Sequence, residues 1–293
     1  MISRTPGSLM ASNALMNLNS ARAELARRHE QASSQRALLA PSDDPAATAT
    51  AMQVRSAISS NAQHARNLDD AKGWLSTVDG ALASTTGILQ HVRDLTVRGA
   101  NQGALSSTAR EAIAAELDGL ADDLLAQANT QYLGRSVFAG TSGAGVAFTP
   151  AFAHTGTGAP VERRIADNTT VRVDADGAAI FGTGTGSMFA LVRSIADDLR
   201  AGTPVGAHIG AVDSHLDSVL EHHAAVGARH NQIMRTEGLN MADAVSLEAA
   251  RSGVEDVDLA EAIMNLQLQQ TSYQAALHVT SRVLQSTLMD FLA

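Results

Sequence analysis

Residues 259–292 read LAEAIMNLQLQQTSYQAALHVTSRVLQSTLMDFL, and within them Leu259, Ile263, Leu266, Gln270, Tyr273, Leu277, Thr280, Leu284, Leu288 and Phe291 fall at alternating three- and four-residue steps. Positions at that spacing line up along one side of a helix and need a partner helix to cover them. Near the other terminus Leu9, Met16 and the set Leu15, Leu18 and Leu25 make a weaker version of the same ridge. Pairing the termini covers part of each ridge and leaves the remainder for neighbouring copies. Leu15, Leu18 and Leu25 on one arm, with Ile263, Leu266, Tyr273, Leu277, Leu284, Leu288 and Phe291 on the other, are therefore the expected assembly contacts. Helices of this kind order when partners cover them, which couples folding to binding.

Working inward from that stretch, the polar segment Gly253 to Asp258 separates it from a further stripe: Ile209, Val212, Leu216, Val219, His223, Val226, His230 and Ile233. Residues 5 to about 34 read as a helix, and Ala40-Pro41-Ser42-Asp43-Asp44-Pro45 breaks it, because prolines cannot sit inside a helix. Asp44 before Pro45 also starts the next one, an N-cap acceptor with proline in the first helical position. In that helix Leu68, Ala71, Leu75, Val78, Leu82, Thr85, Leu89, Val92 and Thr96 form one stripe. Trp74, Ala81, Ile88 and Leu95 form a second beside it, so the helix is covered from more than one side. After a turn, Ser106 or Ser107 caps a helix carrying Ile113, Leu117, Leu120 and Leu124.

Between 136 and 186 Gly, Thr and Pro become dense, and Val161, Arg163, Ile165, then Val171 and Val173, alternate with the period of a strand. Helix returns at Ser187. The expected fold is mainly α: a long-helix antiparallel bundle or coiled coil formed by the N- and C-terminal segments, with a small β-rich inserted domain. Residues 1–40 and 257–293 form a terminal paired-helix assembly domain, 41–135 and 187–256 a helical rod, and 136–186 the β-rich insertion.

Composition narrows the function. The chain has 293 residues, 45% of them apolar but only 3% aromatic, so Ala, Leu, Val, Ile and Met must fill the core. A formal charge of −9 disfavours nucleic acid and anionic membrane surfaces. Lys72 is the sole lysine, and no basic run reverses that argument. Without cysteine there are no disulfides, thiolate metal sites or Cys nucleophiles. No segment approaches the roughly 18 to 20 apolar residues that span a bilayer, and Met1 to Ala23 does not read as a cleavable signal peptide.

The remaining chemistry-bearing residues have structural readings. His208, His215, His222, His223 and His230 lack the one-turn spacing that brings two ligands to one ion. His223 and His230 lie on the apolar stripe as packed, hydrogen-bonded residues. Asp43-Asp44, Asp69-Asp70, Asp122-Asp123 and Asp197-Asp198 read as caps and solvated faces, because adjacent carboxylates on a helix diverge by about 100°. Gly182-Thr183-Gly184-Thr185-Gly186 lacks the context of a phosphate loop and reads as a return into the Ser187 helix. No catalytic residue, cofactor or metal is expected.

Several stretches resemble the flagellin superfamily and, within it, the hook-associated protein 3 family. Ser42-Asp43-Asp44-Pro45-Ala46-Ala47 is similar to that family's break after the terminal helix. Leu89-Gln90-His91-Val92-Arg93-Asp94-Leu95 resembles the segment by which flagellins contact neighbours, so the resemblance adds Leu89, Gln90, Val92, Arg93 and Leu95 to the candidate interface. Ala128-Asn129-Thr130-Gln131-Tyr132-Leu133-Gly134-Arg135-Ser136-Val137-Phe138-Ala139-Gly140 ends in a Phe-Ala-Gly similar to junction proteins. Further likeness lies in Val226-Gly227-Ala228-Arg229, Glu255-Asp256-Val257-Asp258 and Tyr273-Gln274-Ala275-Ala276-Leu277. Ser286-Thr287-Leu288-Met289-Asp290-Phe291-Leu292 resembles the junction family's closing segment, departing at Thr287, Met289 and Phe291.

The resemblance implies a non-enzymatic subunit that joins hook to filament as a homo-oligomeric ring, beside a neighbouring hook-associated protein and flagellin. It also implies export through the flagellar type III channel without a cleaved signal, an extracellular place in the flagellum, and a cytoplasmic chaperone on the C-terminal helix. The rivals are flagellin itself and a cytoplasmic coiled-coil scaffold protein.

Overall fold

The computed structural model describes residues 5–101, 105–156 and 159–292, with the side chains of 5–8 and 283–292 left aside. The chain divides into two compact units, Met1–Ser60 with Ala244–Ala293 and Asn61–Asp243.

The first unit holds α1 (Thr5–Ser34), the start of α2 (Pro45–Ala100), the end of α6 (Ile209–Glu255) and α7 (Leu259–Leu292). Asp44 caps α2, its Oδ1 accepting from Ala47 N at 2.9 Å, and Asp258 caps α7 by accepting from Ala260 N at 2.8 Å. The α1 and α7 helices run antiparallel. Gln269 Nε2 donates to the Ala21 carbonyl at 3.2 Å, and at the root of the pair Arg36 bridges Asp256.

The second unit, residues 61–243, is built on the rest of α2 and α6, joined by α3 (Ser107–Ala128) and α5 (Met188–Ala201). Here too α2 and α6 are antiparallel. Asn61 and Asn240 each donate an amide to the other's carbonyl, at 3.2 and 3.1 Å. Farther along, Lys72 meets Glu237 at 3.1 Å, His223 meets Asp79 at 2.8 Å, and Arg93 meets Asp213 at 2.6 Å. Both stripes of α2 are buried, Leu75, Val78 and Leu82 on one and Trp74, Ala81 and Leu95 on the other. They meet Val212, Val219, Val226 and Ile233 of α6 and Leu117 and Leu124 of α3 in one continuous core.

Strand is sparse. The hairpin β1 (Gln131–Tyr132) with β2 (Arg135–Ser136) turns through Leu133 and Gly134, both at positive φ (48° and 78°). The second hairpin pairs β3 (Glu162–Ala166) with β4 (Thr169–Arg172), with a register irregularity between Arg164 and Ala166. A short α4 (Gly177–Phe181) follows. Residues 136–186 pack on the helices of the same unit. Phe138, Phe148, Phe181 and Phe189 form an aromatic cluster, with Phe138 edge-on to Phe181 at 5.0 Å and Phe148 edge-on to Phe189 at 5.3 Å. Six phenylalanines in the whole chain thus suffice, because most of them converge here. The breaks around Pro41 and at 256–258 fall at different places from the division by packing. Helix α6 continues through Gly253, where the sequence suggests that the second break begins, to Glu255. A break marks where a helix ends, whereas packing changes within α2 and α6 at positions 60/61 and 243/244, where both helices continue.

Candidate assembly interface

The covered positions of α1 include Ala11, Ala14, Leu18, Ala21, Leu25 and Arg28, with Glu24, Gln31 and Ala32 beside them; those of α7 include Ala262, Leu266, Gln269, Tyr273, Ala276 and Thr280, with Asn265 beside them. The first-named positions of each helix step by three and four residues, the spacing of a two-helix seam. On α7 this seam shares Leu266, Tyr273 and Thr280 with the stripe read from sequence, but its alternate positions lie one residue earlier. At two of the three alternate positions the seam takes a small residue, Ala262 and Ala276, and the bulkier Ile263 and Leu277 lie exposed on the flank.

The flank is exposed. Leu15, Ile263 and Leu277 retain 46, 44 and 42% of their surface, and Met264, Leu268 and Val279 more than 60%. Within the first unit the buried apolar residues are Ala51 and Ala262 alone, among the described residues. Exposed apolar groups on this scale mark contact surfaces. Leu18, Leu25, Leu266 and Tyr273 are half-covered by the pairing itself. The side chains of Leu284, Leu288 and Phe291 lie outside the described residues.

The segment 89–95 divides by face. Leu89, Val92 and Leu95 are buried in the second unit's own core, so they cannot offer side chains to a neighbour while that core is packed. The heptad spacing that marks an interface also marks an internal seam. Gln90 is exposed, and Arg93 is half-exposed, held by Asp213. His91 beside them lies 2.7 Å from Glu116.

Residues 128–140 form a connector rather than an exposed patch. Asn129 imitates a strand pairing: its Oδ1 accepts from Phe148 N at 2.8 Å and its Nδ2 donates to the Phe148 carbonyl at 3.0 Å. Val137, Phe138 and Ala139 are buried, and Gly140 takes φ 60°. Tyr132 leans on Trp74 with ring centroids 5.6 Å apart and lies against Gly73 so closely that a Cβ there would meet its hydroxyl. Arg135 and Arg163 place guanidinium groups 5.5 and 5.7 Å from the Trp74 ring centroid.

The candidate chemistry read from sequence is distributed as caps and ion pairs. Asp43 and Asp44 cap backbone amides, Asp70 binds Arg163, Asp122 binds Arg193, and Asp198 binds His208. No group of three His, Cys, Asp or Glu able to hold a metal occurs among the described residues. Nor, among them, is any helix long and apolar enough to cross a membrane. His215 is half-buried, and desolvation holds its pKa below the usual imidazole value.

Sequence reasoning missed Met264, Leu268 and Val279, which form a second apolar line on α7 at helical spacing and are visible once Ala262 rather than Ile263 is taken as the seam. It also missed the partnership of Arg55 with Glu255, for which no local signal exists.

The two helical ends match the bacterial flagellin N-terminal helical region over residues 8–143 and the bacterial flagellin C-terminal helical region over residues 209–292. The chain belongs to the flagellin family. Flagellin of Bacillus subtilis (strain 168) is 29% identical over 269 residues, spanning 86% of this chain and 87% of that protein. The flagellar hook-associated protein 3 of Escherichia coli (strain K12) is 25% identical over 297 residues, spanning 92 and 93%. The crystal structure of flagellar hook-associated protein-3 from Legionella pneumophila superposes with a TM-score of 0.62 at 14% identity, over 69% of this chain and 98% of that one, which shows a shared fold. The flagellin-family matches take in α1 to α3 and α6 to α7. The stretch between them holds β3, β4, α4 and α5.

Proposed function

We propose that this structural subunit of the bacterial flagellum joins hook to filament, assembling as a ring through α1, α7 and the 90–93 surface. The observation that carries the reading is the unsatisfied flank of the α1–α7 pair: Leu15, Ile263, Leu277 and Met264 stay exposed beside a seam that covers other positions. A Leu side chain moved from water to a packed contact contributes about 1.5–3 kcal/mol, so several such residues per neighbour are enough to hold a lattice. Leu18, Leu25, Leu266 and Tyr273 act in this scheme by making the pair, Leu89, Val92 and Leu95 by shaping the helix behind Gln90 and Arg93. Leu284, Leu288 and Phe291 enter this scheme by their sequence spacing alone. The near end-to-end match to a hook-associated protein 3 supports the junction role over that of filament subunit.

Export through the flagellar channel, an extracellular position and a chaperone on α7 belong to the same reading. A helix with a second apolar line needs cover before assembly, and a chain without cysteine is threaded without disulfides to break. No catalytic role enters.

The test is Leu277→Asp in the full chain. Because Leu277 is 42% exposed in the single chain, the variant folds, but it loses filament attachment to hooks by at least about tenfold. Normal attachment sinks the interface reading. The similarity to Bacillus subtilis flagellin favours a second reading as filament subunit. Seeded elongation of the purified chain into long filaments would establish that reading instead.

A further inference from the structure

Residue 255 gathers three segments of the first unit at one point. Glu255 closes α6, and its side chain is 5% exposed. Arg55 on α2 meets it with a two-pronged contact, Nε to Oε1 at 2.6 Å and Nη2 to Oε2 at 2.8 Å, the strong fork geometry of guanidinium and carboxylate. Arg251, one turn back on α6, approaches Oε2 at 3.5 Å and is itself held by Glu248 at 2.7 Å.

The main chain of the same residue is also engaged. Its carbonyl accepts from Ala37 N at 2.8 Å, and two residues on, Val257 N donates to the Gln35 carbonyl at 3.1 Å. These bonds form a short antiparallel bridge between the exit from α1 and the entry to α7, centred on Arg36 and Asp256. Gln35 stands at φ 56°, a left-handed conformation that a residue with a side chain adopts only when its surroundings hold it. Along the helix pair itself, by contrast, Gln269 to Ala21 is the one direct hydrogen bond among the described residues, and burial there amounts to Ala262 and Thr280. Between those points the pairing rests on half-covered side chains, so the fork and the bridge at its root add to what fixes its register.

We propose that Glu255 is the positioning residue of the terminal helix pair: its ion pair with Arg55 clasps the α1 exit and the α7 entry to α2, presetting the pair before any partner subunit arrives. A preset pair presents its apolar flank without a further ordering cost at assembly. The clasp belongs to the free chain and holds whichever flagellar tube the chain enters, so its test is independent of the Leu277 experiment.

That test is amide hydrogen exchange on the full chain, comparing wild type with Glu255→Gln, Arg55→Met and the double variant. Arg55 is 57% exposed and Glu255 only 5%, so Arg55→Met leaves the covered carboxylate with Arg251 alone and Glu255→Gln gives up the charge of the fork; exchange over residues 31–40 and 255–262 rises about tenfold in each single variant. Residues 188–201 of α5 in the second unit serve as internal reference and keep their rates. The double variant is no faster than the faster single one, the signature of two groups acting together. Wild-type rates over 31–40 in either single variant overturn the clasp. So does an equal rise in α5, which means general destabilisation, and so does simple additivity in the double variant.

Discussion

Val212, Val219, Val226 and Ile233 on α6 and Leu266, Tyr273 and Thr280 on α7 are lines of the same heptad spacing, yet the first is buried to within 2% and the second is mostly half-covered. The α6 line sits among α2, α3 and α5, all of which contribute to one core. The α7 line has α1 on one side, and on the flank Ile263 and Leu277 stay exposed. Spacing therefore tells that a helix has a partner; it does not tell how many sides are covered. In the assembly proposed above, the better-covered unit is the scaffold and the less-covered one the surface offered to other subunits.

That contrast is broken first by substitutions in the two interiors. Phe181 is fully buried against Phe138 and Phe189, so Phe181→Ala should cost about 3–5 kcal/mol and lower the midpoint of thermal unfolding by several degrees. Leu277→Ala in the unassembled chain should stay within about 0.5 kcal/mol of wild type. Equal shifts would erase the distinction between the units.

A smaller effect is expected at Gly73, where a Cβ would meet the Tyr132 hydroxyl. Gly73→Ala should cost about 1–3 kcal/mol by overpacking, measured by urea unfolding, and adding Tyr132→Phe should recover part of it by removing the clashing oxygen. No recovery would mean that the helix backbone, rather than the ring, is what yields.

Acid should separate the units in sequence. His215 has a lowered pKa from burial, so protons bind the unfolded chain more readily, and the second unit loses stability as pH falls below the ordinary imidazole value near 6.5. Glu255 is held below 4.5 first by the hydrogen bond from Arg55, then by the Arg55 and Arg251 charges against the opposing effect of burial. Its contribution is complete above 4.5 and disappears as pH drops through the lower folded value. Hydrogen exchange read separately over the two units along a pH series should show the second unit loosening at the higher pH and the root of α1 and α7 at the lower. His215→Gln should flatten the first change, Glu255→Gln the second, and a single common transition would contradict both assignments.

The smallest change is expected at the surface. Arg193 and Asp122 form a 2.8 Å pair with both side chains about half-exposed or more, so Arg193→Ala should alter stability by about 0.5 kcal/mol or less. A larger loss would point instead to the Arg193 guanidinium lying 5.2 Å from the Phe152 ring centroid.

Much of the helical architecture was legible because its signals are local. Asp44-Pro45, Ser106 and Ser187 announce helix starts through side-chain oxygens that reach backbone amides a few residues on, and the stripes of α2 and α6 repeat at a fixed step. The candidate interface was less legible. Leu89 and Leu277 carry the same pattern, one ends in a core and the other on a flank, and neither residue's neighbours in sequence distinguish them. Arg55 and Glu255 lie 200 residues apart, and charge alone gives no reason to pair them.

Periodicity, caps and breaks thus determined from the chain alone that long helices form, where most begin, and that the two ends pair, because each depends on interactions spanning a few residues or one repeating face. Which side of each helix is covered, how residues 136–186 gather five phenylalanines' worth of packing with α5, and which carboxylate clasps the terminal pair were decided only by the tertiary structure. Those outcomes turn on distances between segments far apart in sequence, and no single segment carries that information.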